Sequence, residues 1–327
     1  MQPDSFLPGK YNIALNSNTV IVIFAPTACG KTALTREIFG KSSLTCFKGM
    51  GEVVSADSQT VYKGLDVGTA KPSLSEISDI PHHLIDIVNP DVQFGVGEFM
   101  EMADSCCHDI INRGKYPVVT GGTGFYIRNF LMGMPVTPIS SPEARNAIRF
   151  RIHKEGIQSL YEELKRIDPF SADKINIHDE YRIIRALEVF YASGRPLSSY
   201  RLPEGLRKEF NFVTIILNRD RSDLYNRINE RVDSMFSSGL MDEVERLKKS
   251  GYSKDSPGMK AIGYREFFMS ELSSIEQIKE HIKKNSRRYA KRQYTFMRDI
   301  PNAITFNAED TDGILNYLKN MLQVSEF

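Results

Sequence analysis

The stretch TVIVIFAPTACGKT, Thr19 to Thr32, constrains the fold more than any other part of the chain. Thr19 to Ala25 is an apolar run rich in β-branched residues and bounded by a glycine loop, the pattern of a strand buried on both faces. From Lys31 the chain turns helical, with Leu34 and Ile38 four apart on one face. Strand, glycine loop and helix in that order form a phosphate-binding unit. Backbone N–H groups converge at the helix N-terminus, where the dipole also favours an anion. Gly30 lets the backbone approach, Lys31 adds a mobile positive charge and Thr32 can ligate Mg²⁺. The first position of the usual G-x-x-x-x-G-K-[ST] pattern is Ala25, and Pro26 stiffens the loop. Such a loop alone points to ATP or GTP.

Further strands follow. Glu52 to Ala56 (EVVSA) ends at Asp57, and Tyr116 to Thr120 (YPVVT) leads into GGTGFY, Gly121 to Tyr126. Phe99 to Ile111 between them is helical. Alternating strands and helices predict an α/β fold: a parallel P-loop sheet with helices on both faces. Asp57 falls at the strand edge where parallel sheets place ligands. A carboxylate there suits a Mg²⁺ ligand or a general base, and equally a turn cap. Spacing alone leaves these open. The glycines of GGTGFY permit close backbone approach, and Thr123 offers a hydroxyl.

From Ser140 to Pro203 the pattern turns wholly helical. Pro142 and Glu143 mark a helix start, and Ala147, Ile148 and Ile152 recur at helical spacing, as do Leu160, Leu164 and Ile167 and the run Ile183 to Tyr191. Phe212 to Leu217 (FVTIIL) then returns to strand. The chain therefore divides into a first core segment, 1–139, an all-helical insertion, 140–205, and a second core segment, 206–327, with a helical C-terminal region. In that region Leu224, Ile228, Val232 and Met235 form one apolar stripe that Gly239 interrupts.

The 327 residues carry a formal net charge of +1, so nucleic-acid affinity must come from local clustering. Lys279 to Arg298 supplies it, with eight Lys or Arg residues against one acid, Glu280. On a helical wheel Lys284, Arg287, Arg288, Lys291, Arg292 and Arg298 share one side, and Ile275, Ile278, Ile282, Tyr289 and Phe296 the other. A single-sign stripe fits a phosphate backbone, because a merely solvated face mixes signs. The four cysteines lack zinc or disulfide spacing, the N-terminus lacks a secretion signal and no run is long enough to span a membrane. These features read as a cytoplasmic protein.

Several segments together resemble one family. The loop at Ala25 to Thr32, VSADS and VYKGLDVGTAKP within Val54 to Pro72, PHHLID (Pro81 to Asp86) and GGTGFY occur in order, followed by YRIIRALEV (Tyr181 to Val189), KAIGYRE (Lys260 to Glu266) and AKRQYTFMRD (Ala290 to Asp299). The chain resembles tRNA dimethylallyltransferases, the tRNA isopentenyltransferases, over roughly Val20 to Asp299.

The resemblance implies transfer of a dimethylallyl group from its diphosphate to the exocyclic amine of the adenosine next to the anticodon, without consuming ATP. It implies a diphosphate cradle at Pro26, Thr27, Ala28, Cys29, Gly30, Lys31 and Thr32, with Mg²⁺ as cofactor on Thr32. Catalytic roles fall to Lys31, Thr32, Asp57 as base and Arg227, in LYNRI, as brace for the departing diphosphate; by its residues alone Arg227 is a solvated arginine.

Contact with tRNA is implied for Asp57, Ser58, Gln59, Thr60 and Thr123, for Arg145, Tyr181, Arg182 and Arg185 in the insertion, and for Lys260, Gly263, Tyr264, Arg265, Lys291, Arg292, Gln293 and Arg298. The implied partners are tRNA and dimethylallyl diphosphate, with no membrane and no obligate protein partner, and a monomer suffices. Here Cys29 stands where the family often has Ser, and Gln59-Thr60 replaces a pair that commonly ends in Gln. The chain lacks a Cys/His zinc-finger tail, so the bacterial type is expected. Two other readings stay open: prenyl transfer to a free adenine nucleotide, and a P-loop kinase or RNA-binding ATPase. A mononucleotide needs neither the insertion nor the cationic helix.

Overall fold

The computed structural model describes residues 11–13, 18–135, 137–138, 141–200 and 203–326. Its strands are β1 (Tyr11–Ile13), β2 (Thr19–Phe24), β3 (Gly51–Ser55), β4 (His82–His83), β5 (Tyr116–Gly121), β6 (Asn211–Asn218), β7 (Ile304–Asn307) and β8 (Val324–Glu326). The helices are α1 (Lys31–Phe39), α2 (Leu74–Asp79), α3 (Val96–Asn112), α4 (Gly124–Met132), α5 (Pro142–Glu155), α6 (Ile157–Ile167), α7 (Pro169–Lys174), α8 (Glu180–Ser193), α9 (Arg221–Ser237), α10 (Leu240–Lys249), α11 (Ile275–Arg298) and α12 (Thr311–Met321).

Six strands form one sheet in the order β4-β3-β5-β2-β6-β7, every pair parallel, so the α/β expectation holds. All six residues of β2 are buried, which is why that stretch carries no polar alternation. Phe24 pairs with Gly121 on one side and Ile216 on the other. The C-terminal ends of β2, β3 and β5 therefore lie side by side, and with them the phosphate loop, Asp57 and GGTG. The β2 strand also sits where the strand order reverses, the position at which open parallel sheets hold ligands.

The chain packs as two compact units, Met1–Leu131 with Leu206–Phe327, and Met132–Gly205. Within the second unit the described residues are helical and without strands. Ser141 caps α5 through its side chain and Pro142 occupies the first turn, where its missing N–H costs nothing. Leu160, Leu164, Ile183 and Leu187 form the core of this unit together with Ile148. Ala147, on the expected apolar face, is exposed instead.

The C-terminal region is less purely helical than its pattern suggested. It contains β7, which extends the main sheet beyond β6, and β8, which pairs antiparallel with β1. Four residues with largely exposed side chains leave little periodicity for a sequence pattern to show. Leu224, Ile228, Val232 and Met235 are buried along α9 as expected, and Gly239, at φ 94°, separates α9 from α10. Of the residues expected on the apolar side of α11, Ile282 is buried but Ile275 is 43% exposed. Ala290, Gln293 and Met297 fill the inner face instead. No helix among the described residues is long and apolar enough to cross a membrane.

Candidate active site

The phosphate loop leaves β2 fully buried at Ala25, whose backbone avoids the left-handed region, so its methyl fits where many such loops have Gly. The sharp turn lies further on: Ala28 has φ 61° and Gly30 φ 109°, and Gly30 leads directly into α1. Cys29 is buried with its Sγ 3.8 Å from the Leu217 carbonyl oxygen, and burial raises its thiol pKa, partly offset by Lys31. The Lys31 ammonium donates to the carbonyls of Ala25 and Pro26, both at 3.1 Å. Desolvation lowers its pKa to about 8, opposed by the nearby Asp57 carboxylate.

Asp57 is half-buried beyond β3, and its Oδ1 accepts the Gln59 N–H at 2.8 Å. It is thus a cap, and at the same time its side chain lines two cavities. One, of about 120 Å³, includes Thr27, Lys31, Thr32 and Gly122 in its walls. The other, of about 260 Å³, adds the apolar side chains of Ile228, Val232, Met235 and Ile282 and the basic groups of Lys260, Arg265 and Arg292. A small chamber beside the phosphate loop therefore accompanies a larger one, each of mixed polar and apolar lining, with Asp57 on the lining of both.

The GGTG turn needs its glycines. A Cβ on Gly121 would lie 2.1 Å from the Ala56 carbonyl oxygen, and one on Gly122 would lie 2.5 Å from Gln293 Nε2. Thr123 Oγ1 accepts the Ser58 N–H at 2.9 Å, tying this turn to the Asp57 segment. From α11, the Gln293 side chain accepts the Thr27 N–H at 3.0 Å and donates to the Gly122 carbonyl at 2.6 Å. Tyr289 donates to the same carbonyl at 3.0 Å. One helix 266 residues away in sequence thereby fixes the spacing between the two glycine turns.

A second brace shapes the outer wall. The Glu243 carboxylate accepts the backbone N–H groups of Asp66, Val67 and Gly68 and the Tyr264 hydroxyl, the last at 2.7 Å. Lys71 of GTAKP is drawn inward, donating to the Tyr62 carbonyl at 2.9 Å and pairing with Asp66 and Asp86. Asp86 ends PHHLID, so this lysine links two motifs that sequence spacing alone leaves unconnected.

Not every residue expected at the tRNA surface lies on one. Gln293 and Tyr264 are 1% and 0% exposed, with their polar atoms engaged in the braces just described. Thr60 is buried against Ser55, their hydroxyls 3.1 Å apart. Gly263 is buried and donates its N–H to Glu266 at 2.9 Å. Ser58, Gln59, Lys260, Arg265 and Arg292 do line the larger chamber, while Lys291 and Arg298 are exposed along α11. Arg287, on the expected cationic stripe, instead donates to Asn229 at 2.5 Å. In the helical unit, Tyr181 is 70% exposed and Arg182 pairs with Asp179. Arg145 and Arg185 converge on the buried Glu188 carboxylate at 2.6 and 3.5 Å. Arg227 is exposed, its Nε donating to the Ala28 carbonyl at 3.0 Å.

The residue that sequence reasoning missed is Arg231, one helical turn beyond Arg227 on α9. It lines both chambers and two outer grooves as well. Its Nη2 donates to the Thr69 carbonyl at 2.9 Å. The i, i+4 spacing in NRINERVD was the available signal.

A family model described as IPP transferase matches residues 60–300. The chain belongs to the IPP transferase family. Among its relatives, a tRNA dimethylallyltransferase of Thermoanaerobacter sp. (strain X514) is 42% identical over 310 residues, covering 93% of this chain and 96% of that one. The tRNA isopentenylpyrophosphate transferase of Bacillus halodurans superposes with a TM-score of 0.67 at 33% identity, over 94% of this chain and 97% of that one. A eukaryotic dimethylallyltransferase acting on tRNA gives a TM-score of 0.71 at 24% identity, over 93% and 77% of the two chains, and speaks for the fold alone. In this family, then, the loop at Ala25 to Thr32 is part of a transferase.

Proposed function

We propose that this chain transfers the dimethylallyl group of dimethylallyl diphosphate to the exocyclic amine of the adenosine adjacent to the anticodon of tRNA. The carrying observation is the pair of chambers that share Asp57: a phosphate cradle on one side and a larger pocket rimmed by Lys260, Arg265 and Arg292 on the other. The C–O bond between prenyl group and diphosphate breaks as the N–C bond to adenosine forms. Asp57 takes the amine proton, which makes a weak aromatic amine competent as a nucleophile. Loop N–H groups from Pro26 to Thr32 and the Lys31 ammonium bind the diphosphate and stabilise the charge it gains on leaving. Arg227 braces it from outside.

The target base must leave its stack to reach Asp57. The larger chamber receives it, and the exposed cations of α11 and of the helical unit carry the tRNA backbone, largely by shape and charge. The site also fits Mg²⁺. Thr32 and Asp57 line the same chamber and offer a hydroxyl and a carboxylate oxygen. Few protein oxygens completed by diphosphate and water suit this ion, which keeps much of its hydration. When bound it supplies positive charge to the leaving diphosphate. Four free cysteines fit a reducing, cytoplasmic setting.

The test offers purified protein labelled dimethylallyl diphosphate with tRNA, with AMP and with ATP. Label is expected in tRNA alone, with no RNA-stimulated ATP hydrolysis. Label only in the nucleotide, or hydrolysis driven by RNA, would overturn the proposal.

A further inference from the structure

Ionising an allylic diphosphate separates two charges. The diphosphate takes the electron pair, and the dimethylallyl fragment is left with positive charge shared between its first and third carbons. Lys31 and the loop N–H groups answer the first charge. The second needs a partner of its own, beside Ile228, Val232 and Ile282, which keep water away but carry no negative pole. Asp57, the carboxylate on both walls, is already engaged with the amine proton.

Tyr289 on α11 is placed to supply that partner. Among the described residues it is the one Phe or Tyr on the walls of either chamber, and it lies on both. The His82 ring lines the smaller chamber alone. The Tyr289 hydroxyl donates to the Gly122 carbonyl at 3.0 Å, an oxygen to which Gln293 Nε2 also donates at 2.6 Å. The ring is therefore fixed at both ends, by its helix and by the glycine turn. Burial holds the phenol pKa above its usual range and the Asp57 carboxylate adds to that, so the hydroxyl stays a donor. An aromatic ring carries a negative pole on its faces. A cation already stands near this one: the Arg292 guanidinium carbon lies 5.7 Å from the centroid, within the range of a cation–π contact. Arg292 is exposed and lines the larger chamber but not the smaller, so the ring offers a face to a cation on that side.

We infer that Tyr289 is a further catalytic residue, whose ring face stabilises the positive charge that the dimethylallyl fragment gains as the C–O bond breaks. This rests on the proposed prenyl transfer. The electron pair passes to the diphosphate oxygen, the adenosine amine forms the N–C bond at the first carbon, and its proton passes to Asp57. The ring itself forms and breaks no bond. It acts as the loop N–H groups do, on the opposite charge: a fixed pole, in place before the bond breaks, with no reorganisation during reaction. Arg292 yields the ring to the substrate as a tRNA phosphate draws the guanidinium outward.

Two measurements on the full-length protein test this. One is single-turnover transfer of the dimethylallyl group to tRNA, and the other is calorimetric binding of two donor analogues with Mg²⁺. Dimethylaminoethyl diphosphate places an ammonium at the third carbon, and isopentyl diphosphate has the same shape without the charge. The wild type is expected to bind the ammonium analogue about tenfold more tightly. Tyr289→Leu is expected to lose most of that preference and to slow transfer by about 10- to 30-fold. Tyr289→Phe keeps the ring and loses only the bond to Gly122, so it should slow transfer by roughly two- to threefold and keep the preference. If Tyr289→Leu melts early, Tyr289→Phe bearing one, two or three ring fluorines decides, because fluorine drains the ring face while nearly keeping its shape; the rate should fall stepwise. A preference kept in Tyr289→Leu would belong to Asp57 and would overturn the inference. So would wild-type transfer by Tyr289→Leu, Tyr289→Phe as slow as Tyr289→Leu, a flat fluorine series, or a wild type that binds the two analogues alike. A wild type that prefers the ammonium analogue yet prenylates no tRNA fails the proposed function, while a preference lost in Tyr289→Leu still supports the ring's place.

Discussion

Buried charge is handled in opposite ways in the two units. In the helical unit, Glu188 is 1% exposed and meets two arginines of its own unit, Arg145 and Arg185. Its charge is neutralised by the fold. In the core unit, Lys31 and Arg231 are held by carbonyl oxygens of Ala25, Pro26 and Thr69, which orient a cation without cancelling it. A charge kept for structure comes with its counter-ion, and one kept for a ligand is positioned by dipoles and left to be completed. Arg145 and Arg185, for which the resemblance implies tRNA contact, each have a carboxylate in place.

The sharpest way to break this contrast is at Asp57, the one carboxylate shared by both chambers. Asp57→Asn keeps the acceptor oxygen for the Gln59 N–H but cannot take a proton. The rate of transfer is expected to fall about a thousandfold, with tRNA affinity within a few-fold, measured by single-turnover transfer and filter binding. Normal turnover in this variant would remove Asp57 as the base.

At Glu188 the opposite behaviour is expected. Glu188→Gln leaves two arginines facing a neutral amide, so the helical unit loses about 2 kcal/mol while diphosphate binding by the core unit is unchanged. Urea unfolding followed beside calorimetric diphosphate titration checks both halves. A variant that weakened diphosphate binding and left stability intact would reverse the assignment of these charges.

How much of this was legible beforehand follows the range of the interactions. Residues whose position is set by a local strand–loop–helix pattern were readable in place: the β2 run, Gly30, Lys31, Thr32, and Asp57 at a strand end. The parallel sheet followed from β-branched runs of five or more residues, but β4, with two residues, and β7, with exposed ones, carry too few periodic positions. Resemblance implied tRNA contact for Gln293 and Tyr264 along with their motif neighbours. Their burial depends on contacts with Thr27, Gly122 and Glu243, distant in sequence and invisible to spacing. Arg231 went unread for the complementary reason. On a helical wheel it belongs with Arg227, and the two are distinguished only by the fold, which exposes Arg227 and sets Arg231 on the walls of both chambers beside the Thr69 carbonyl.

The contrast also predicts a pH dependence. Lys31 has its pKa lowered to about 8 by desolvation, so in the free enzyme it is charged below that pH and neutral above it. Diphosphate binds the charged form. Affinity should therefore be flat below about pH 8 and fall by up to tenfold per unit above it, because binding must then take up a proton. Calorimetry in buffers of different ionisation enthalpy reads that proton directly. Lys31→Arg, which stays charged, should flatten the profile even if its affinity is lower. An unchanged slope in that variant would place the titrating group elsewhere.

The smallest effect lies on the outer face of α11, where the comparison can be sharpened. Lys284, Arg288, Lys291 and Arg298 are exposed, whereas Lys279 and Lys283 of the same helix pair with Asp233 at 2.6 and 2.9 Å. Within one helix, then, some cations carry a counter-ion from the fold, while others meet none among the described residues. If the unpaired ones track tRNA phosphates, each contact releases a condensed counter-ion, and losing one lowers the slope of log affinity against log salt by slightly less than one. Lys291→Ala is expected to weaken tRNA binding a few-fold and to reduce the slope. Lys279→Ala should leave the slope unchanged, because Asp233 already competes for that charge. Equal slopes for the two variants would mean that carboxylate pairing does not separate the ligand-facing cations of this helix from the structural ones.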